Sequence, residues 1–229
     1  MKTRYFLTLA ILIMVAALAI PPVTAATGAD PATEYFNMAQ VAIGNGEYGR
    51  AVALFDMALA ENTTLISQSD TLMYLYKDKA AALADLGKYD EALTTVNTGL
   101  VQFKNSTGMW NNKGYILYKM GRYNEAVDAY SQAVMINPAY EKGWINKGDA
   151  LVKAGRSVDA VEAYNKALCL DPESSSAKEG LATAQKESGT LIIILAVIVI
   201  IAAGIVVWYV KFRTPTDKKD SLKKSGKKD

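Results

Sequence analysis

The chain has no histidine and only one cysteine, Cys169. Counting alone therefore excludes an intramolecular disulfide, a thiolate cluster and an imidazole metal site, and removes the commonest general base of enzyme chemistry. Cys169 has no neighbouring base to activate it, and no Gly-rich phosphate loop, serine nucleophile elbow or paired acidic cluster stands elsewhere. These absences argue against an enzyme, a cofactor and a metal centre. A basic centre is missing too. The formal charge is +2, of which the last nineteen residues carry +5 and Lys2 and Arg4 carry +2, so residues 26–190 carry −5. A mildly acidic domain of that kind offers no surface to nucleic acid.

Apolar residues are concentrated at the two ends. Lys2 and Arg4 precede an almost unbroken apolar run to Ile20, Pro21 and Pro22 break it, and Val23-Thr24-Ala25 follow with small residues. This is the pattern of a secretory signal over residues 1–25, with cleavage after Ala25; cleavage after Ala26 and retention as an uncleaved anchor are the alternatives. Leu191 to Val210 supplies twenty residues that are apolar, aromatic or glycine. At about 1.5 Å per residue that is roughly 30 Å, the hydrocarbon thickness of a bilayer. Within lipid every backbone amide must be satisfied inside the segment, so a β-branched run that would be a poor helix in water is expected to be helical there. Trp208 and Tyr209 sit where an interfacial aromatic belt belongs, and the lysine-rich tail 211–229 follows. The positive-inside rule puts that tail in the cytoplasm, and an export signal puts residues 26–187 on the other side. With Pro215, Gly226 and few apolar residues, the tail reads as disordered.

The centre repeats itself. Trp110 recurs as Trp144, Lys113-Gly114 as Lys147-Gly148, Gly121-Arg122 as Gly155-Arg156, Ala129-Tyr130 as Ala163-Tyr164 and Pro138 as Pro172, each at an offset of 34. One step back, the same register meets Tyr76, Gly87, Tyr89, Glu91-Ala92 and Gly99. A further unit, with Tyr35, Ala39, Gly46, Tyr48, Ala51, Phe55 and Ala58, is displaced by seven extra residues around Asn62 to Asp70. Glycines 46, 87, 121 and 155 mark a left-handed residue between two helices, and the prolines end a unit. Small residues at 39, 80, 114 and 148 read as a close approach of helix A to helix B, with Ala126 and Ala160 as the facing side.

These residues resemble the tetratricopeptide repeat, over about residues 31–187. The resemblance implies an all-α solenoid of four helix-turn-helix repeats, at about 32–60, 73–104, 107–140 and 141–174. A capping helix at 175–187, anchored by Leu181, follows, and then one transmembrane helix. A single helical hairpin cannot bury its apolar face alone, so stacking supplies the partner. The resemblance also implies a groove lined by A helices that binds a protein or extended peptide. Its inward positions are Phe36, Asn37 and Gln40; Lys77, Asp78 and Ala81; Asn111, Asn112 and Tyr115; and Lys142, Ile145, Asn146 and Asp149. Some members clamp a terminal carboxylate with two lysines, two asparagines and an arginine. Lys77, Asn112 and Lys142 match three of those places, while Ala81 and Asn146 depart from the pattern. Trp110 and Trp144 read as packing residues.

Two glycosylation sequons, at Asn62 and Asn105, fall between repeats. Taken together, the sequence predicts a single-pass cell-membrane protein displaying an extracytoplasmic interaction scaffold, with no small-molecule substrate. An assembly factor or subunit of a larger membrane complex, and an array facing the cytoplasm, are the alternatives.

Overall fold

A computed structural model describes residues 30–61 and 69–213. The signal sequence, Asn62 and most of the basic tail lie outside them. Every element among the described residues is a helix: α1 Pro31–Gly44, α2 Tyr48–Glu61, α3 Ser69–Asp85, α4 Tyr89–Gln102, α5 Thr107–Lys119, α6 Tyr123–Ile136, α7 Glu141–Lys153, α8 Ser157–Leu170 and α9 Ser175–Arg213. Each odd helix packs against the next even one as a hairpin, and each hairpin packs against its successor. The odd helices α3, α5, α7 and α9 also touch in sequence, forming one continuous face.

The hairpin turn has one chemistry, used four times. At the end of α1 the Gly46 amide donates to Ile43 O at 2.9 Å and the Glu47 amide to Ala42 O at 2.8 Å. The same pair of bonds recurs at Gly87/Lys88, Gly121/Arg122 and Gly155/Arg156. These are helix-terminating bonds that need a left-handed residue, and the four glycines have φ of 74–75°. The residue after each glycine then ion-pairs three residues into the new helix: Glu47–Arg50, Lys88–Glu91, Arg122–Glu125 and Arg156–Asp159. The turns between hairpins differ. Asp30 caps α1 by accepting from the Thr33 amide at 3.3 Å, with Pro31 at the first helical position, and Ser106 caps α5 by accepting from the Met109 amide at 3.4 Å. Before α7 and α9, Asn137 and Asp171 each fold the chain around the following proline by accepting an amide two residues on.

Burial follows the 3.6-residue period. In α6 the buried positions are Ala126, Val127, Ala129, Tyr130, Ala133 and Val134. Three apolar clusters run along the stack, the first around Phe55, Leu54 and Leu75, the second around Leu83, Val96 and Ile116, the third around Tyr130, Leu151 and Tyr164.

Four details differ from the sequence expectation. The small residues at 114 and 148 do not chiefly meet alanines: a Cβ at Gly114 would lie 2.6 Å from the Tyr130 ring, and one at Gly148 2.7 Å from the Tyr164 ring. Glycine is required because an aromatic ring, not an Ala methyl, fills the slot. The second unit begins at Ser69 rather than about 73, so part of the inserted segment lengthens its first helix to 17 residues. The cap buries Ala177 and Ala184 fully, with Gly180 against the Tyr164 ring, while Leu181 is only partly buried. Finally, α9 does not stop at 187. It continues unbroken through the apolar segment to Arg213.

Candidate functional site

The expected groove residues lie along the odd helices, and the structure connects Gln40, Lys77, Asp78, Asn111, Asn112 and Asn146 to one another or to a neighbouring repeat's backbone. Gln40 donates its side-chain amide to Asp78 at 2.8 Å, Asp78 accepts the Lys77 ammonium at 3.3 Å, Asn112 donates to the Lys77 carbonyl at 3.0 Å, and Asn146 donates to Asn111 Oδ1 at 2.8 Å. Each amide bond crosses from one repeat to the next. A ladder of this kind fixes the register of the stack, because a slipped repeat leaves partly buried polar groups without partners. Asn37 and Lys142 are exposed with no side-chain hydrogen bond or ion pair among the described residues, and Tyr115 is exposed with the Lys119 ammonium 5.4 Å from its ring. Phe36 is half-buried, its ring packed against Phe55 at 6.0 Å.

Of the three positions matching a carboxylate clamp, Lys77 is paired with Asp78 and the Asn112 amide is engaged by a backbone carbonyl, which leaves Lys142 as the one without a partner among the described residues. Most of the side-chain amides on this face thus hold the array together, and its exposed groove residues are Asn37, Tyr115, Lys142 and Asp149.

The odd-helix face deepens at its C-terminal end. A cleft of about 350 Å³ lies between α5, α7, α8 and α9, lined among others by Tyr118, Ile145, Asp149, Lys153, Tyr164 and Glu179. Tyr164 reaches into it from α8 and donates its hydroxyl to Asp149 at 2.6 Å. Burial, and then Asp149, push the Tyr164 phenol far above its usual range, and burial followed by Asp149 and Tyr123 raise Tyr118 as well. Both phenols therefore stay protonated through neutral pH, the Tyr164 hydroxyl as donor to the Asp149 carboxylate. The cleft offers apolar walls, phenols, two carboxylates and one ammonium, which suits an amphipathic segment with a polar edge.

Glu125, Asp128, Asp159 and Glu162 are acids of the even helices α6 and α8. In the structure they line two notches on the opposite side of the array, one with Trp110 and Lys113 and a larger one with Trp144 and Lys147. The indoles occupy equivalent surroundings: Trp110 Nε1 donates to Lys104 O at 2.7 Å and Trp144 Nε1 to Pro138 O at 2.9 Å, and Lys113 and Lys147 lie over the rings at 5.2 and 5.3 Å. The shared 34-residue offset of Trp, Lys and both acids was the available signal. Asn105 is exposed in the turn between α4 and α5.

Tetratricopeptide-repeat family models match residues 109–140 and 145–191. No curated protein matches the sequence. Among solved structures, the crystal structure of MamA protein superposes with a TM-score of 0.60 at 17% identity, covering 70% of this chain and 84% of that one. MamA from Desulfovibrio magneticus RS-1 gives 0.57 at 23% identity, covering 72% and 94%. A tetratricopeptide repeat protein from Parabacteroides merdae gives 0.61 at 17%, covering 71% and 62%. At these identities the likeness is one of fold. That fold is an all-α tetratricopeptide-repeat solenoid followed by one apolar C-terminal helix.

Proposed function

We propose that the chain is a membrane-anchored scaffold that binds a protein or peptide along the odd-helix face and holds it at the extracytoplasmic surface of the cell membrane. Tetratricopeptide-repeat proteins generally mediate protein–protein interaction, and exposed side chains on this face such as Asn37, Tyr115 and Lys142 are of the kind that contact a partner at modest entropic cost.

The observation that carries the reading is α9. Its first turns cover the last hairpin, and its remainder, from Ile192 to Phe212, is exposed almost throughout, with side chains such as Ile193 and Ile200 at 66% and 70% exposure. An 18-residue window of this helix has a mean hydropathy of 3.3 and buries none of its surface in the protein. An uncovered apolar helix of that length is costly in water at about 25 cal/mol per Å² and favourable in lipid. The lysine-rich tail after it orients the repeats outward, and the N-terminal signal agrees with that direction.

The test uses the full chain in its own membranes. Lys142→Glu combined with Tyr115→Ala should reduce recovery of crosslinked partner, and Asp128→Lys on the opposite side should leave it unchanged. Protease added to intact cells should digest the repeats and spare a tag placed after Asp229. Equal recovery by all variants removes the groove from the function, and a protected array with a digested tag reverses the topology.

A further inference from the structure

The unbroken path of α9 fixes which edge of the array meets the bilayer. Helix α8 ends at Leu170 and α9 begins at Ser175, so the two run antiparallel and the start of α8 returns alongside the far end of the cap. The return is bonded: Ser157, itself only 8% exposed, donates its hydroxyl to Glu187 at 2.7 Å. Gly155, Arg156, Ser157, Val158 and Asp159 share one crevice with Glu187 and Ser188. Glu187 precedes Leu191, the first residue of the apolar run, by four positions. At the helical rise that is about 6 Å, and the interfacial layer outside the hydrocarbon is about 5–7 Å thick on each side.

From this we infer that the turn between α7 and α8 lies in the headgroup layer and is a lipid-contacting surface, so that the array is braced against the membrane at a second point beside its anchor. The inference rests on α9 being a membrane span. The turn carries the chemistry that such a layer takes. Val158 is 60% exposed although apolar, and Lys153 and Arg156 flank it as exposed cations. An apolar side chain can enter the acyl boundary while lysine and arginine reach phosphates. Arg156 is tied to Asp159 at 2.6 Å, which leaves Lys153 as the cation available to a headgroup. The occupant is lipid rather than protein because the turn is continuous with the anchor, at a depth that the helix itself sets.

The test places an environment-sensitive fluorophore at single cysteines in the full chain, with Cys169→Ser as background, in vesicles of phosphatidylcholine and phosphatidylglycerol. Nitroxide lipids labelled either at the headgroup or deep in the acyl chain act as quenchers. Val158→Cys should lose emission to headgroup nitroxide about as strongly as Trp208→Cys. Leu170→Cys, at the opposite end of α8, should lose none, and Ile198→Cys should respond to the deep nitroxide. Quenching at 198 with none at 158 overturns the inference and leaves the anchor standing. A blue shift at 158 without lipid quenching assigns the turn to a protein occupant, which also overturns it. No quenching at 198 removes the span itself, and the inference with it.

Discussion

Replacing Gly148 with alanine should destabilise the array even though alanine is the better helix former. The added Cβ would lie 2.7 Å from the Tyr164 ring, where ordinary contact begins at 3.4 Å. The ring cannot retreat. On its other side Gly180 of α9 is so close that a Cβ there would lie 2.3 Å away, and the hydroxyl is held by Asp149 at 2.6 Å. Forcing a methyl into a packed site of this kind costs about 1–3 kcal/mol, and the closed geometry argues for the upper end. Gly→Ala in a helix interior returns about 1 kcal/mol, so the net loss is about 2 kcal/mol. Gly114 occupies the equivalent slot against Tyr130, but that ring meets a glycine on one side only, so Gly114→Ala should cost about 1 kcal/mol or less. Urea unfolding of the full chain in mild detergent, followed by circular dichroism, reads both. Adding Tyr164→Leu to Gly148→Ala should recover at least about 1 kcal/mol relative to additive behaviour. A Gly148→Ala midpoint at or above the parent's would refute the clamped ring.

The same titration separates other glycines. Gly49 is the second residue of α2 with nothing within 4 Å of a new Cβ, so Gly49→Ala should stabilise by about 0.4–1 kcal/mol, whereas Gly155→Ala has space but a φ of 74° and should cost about 1–2 kcal/mol. Burial raises the Tyr130 and Tyr164 phenols in the folded state, so the stability they confer is complete below the unfolded value of about 10 and is lost as pH rises above it. At pH 11 each should cost about 1.4 kcal/mol, seen as a falling urea midpoint between pH 9 and 11 that Tyr164→Phe makes shallower. Asn112→Ala removes the amide bonded to the Lys77 carbonyl and should cost about 1 kcal/mol of stability. Restoring the array with a stabilising Gly49→Ala should then restore partner binding, since that amide serves the stack.

Much of the fold was legible because its repeated parts impose strict local demands. Glycine adopts φ near 75° between paired helices without strain, and that requirement recurs at 87, 121 and 155 in the 34-residue register. What escaped was pairwise. A single sequence shows that Gly148 must be small, and not that the Tyr164 ring makes it so. It shows amides along helix A without revealing that Asn112 and Asn146 point to the neighbouring repeat. The helix expected to end at 187 runs on through Ser188, Gly189 and Thr190 for a local reason. Ser188 donates its hydroxyl to Gln185 O and Thr190 to Lys186 O, which satisfies both side chains within the helix, and one glycine costs only about 1 kcal/mol.

A photocrosslinking amino acid placed singly at Tyr115, Lys142 and Glu162, in the full chain in intact membranes, tests the interaction surface most directly. The first two lie on the odd-helix face and the third in the notch on the opposite side. The predicted result is the same partner adduct from 115 and 142 and none from 162. An adduct from 162 alone would place binding on the even helices and contradict the groove.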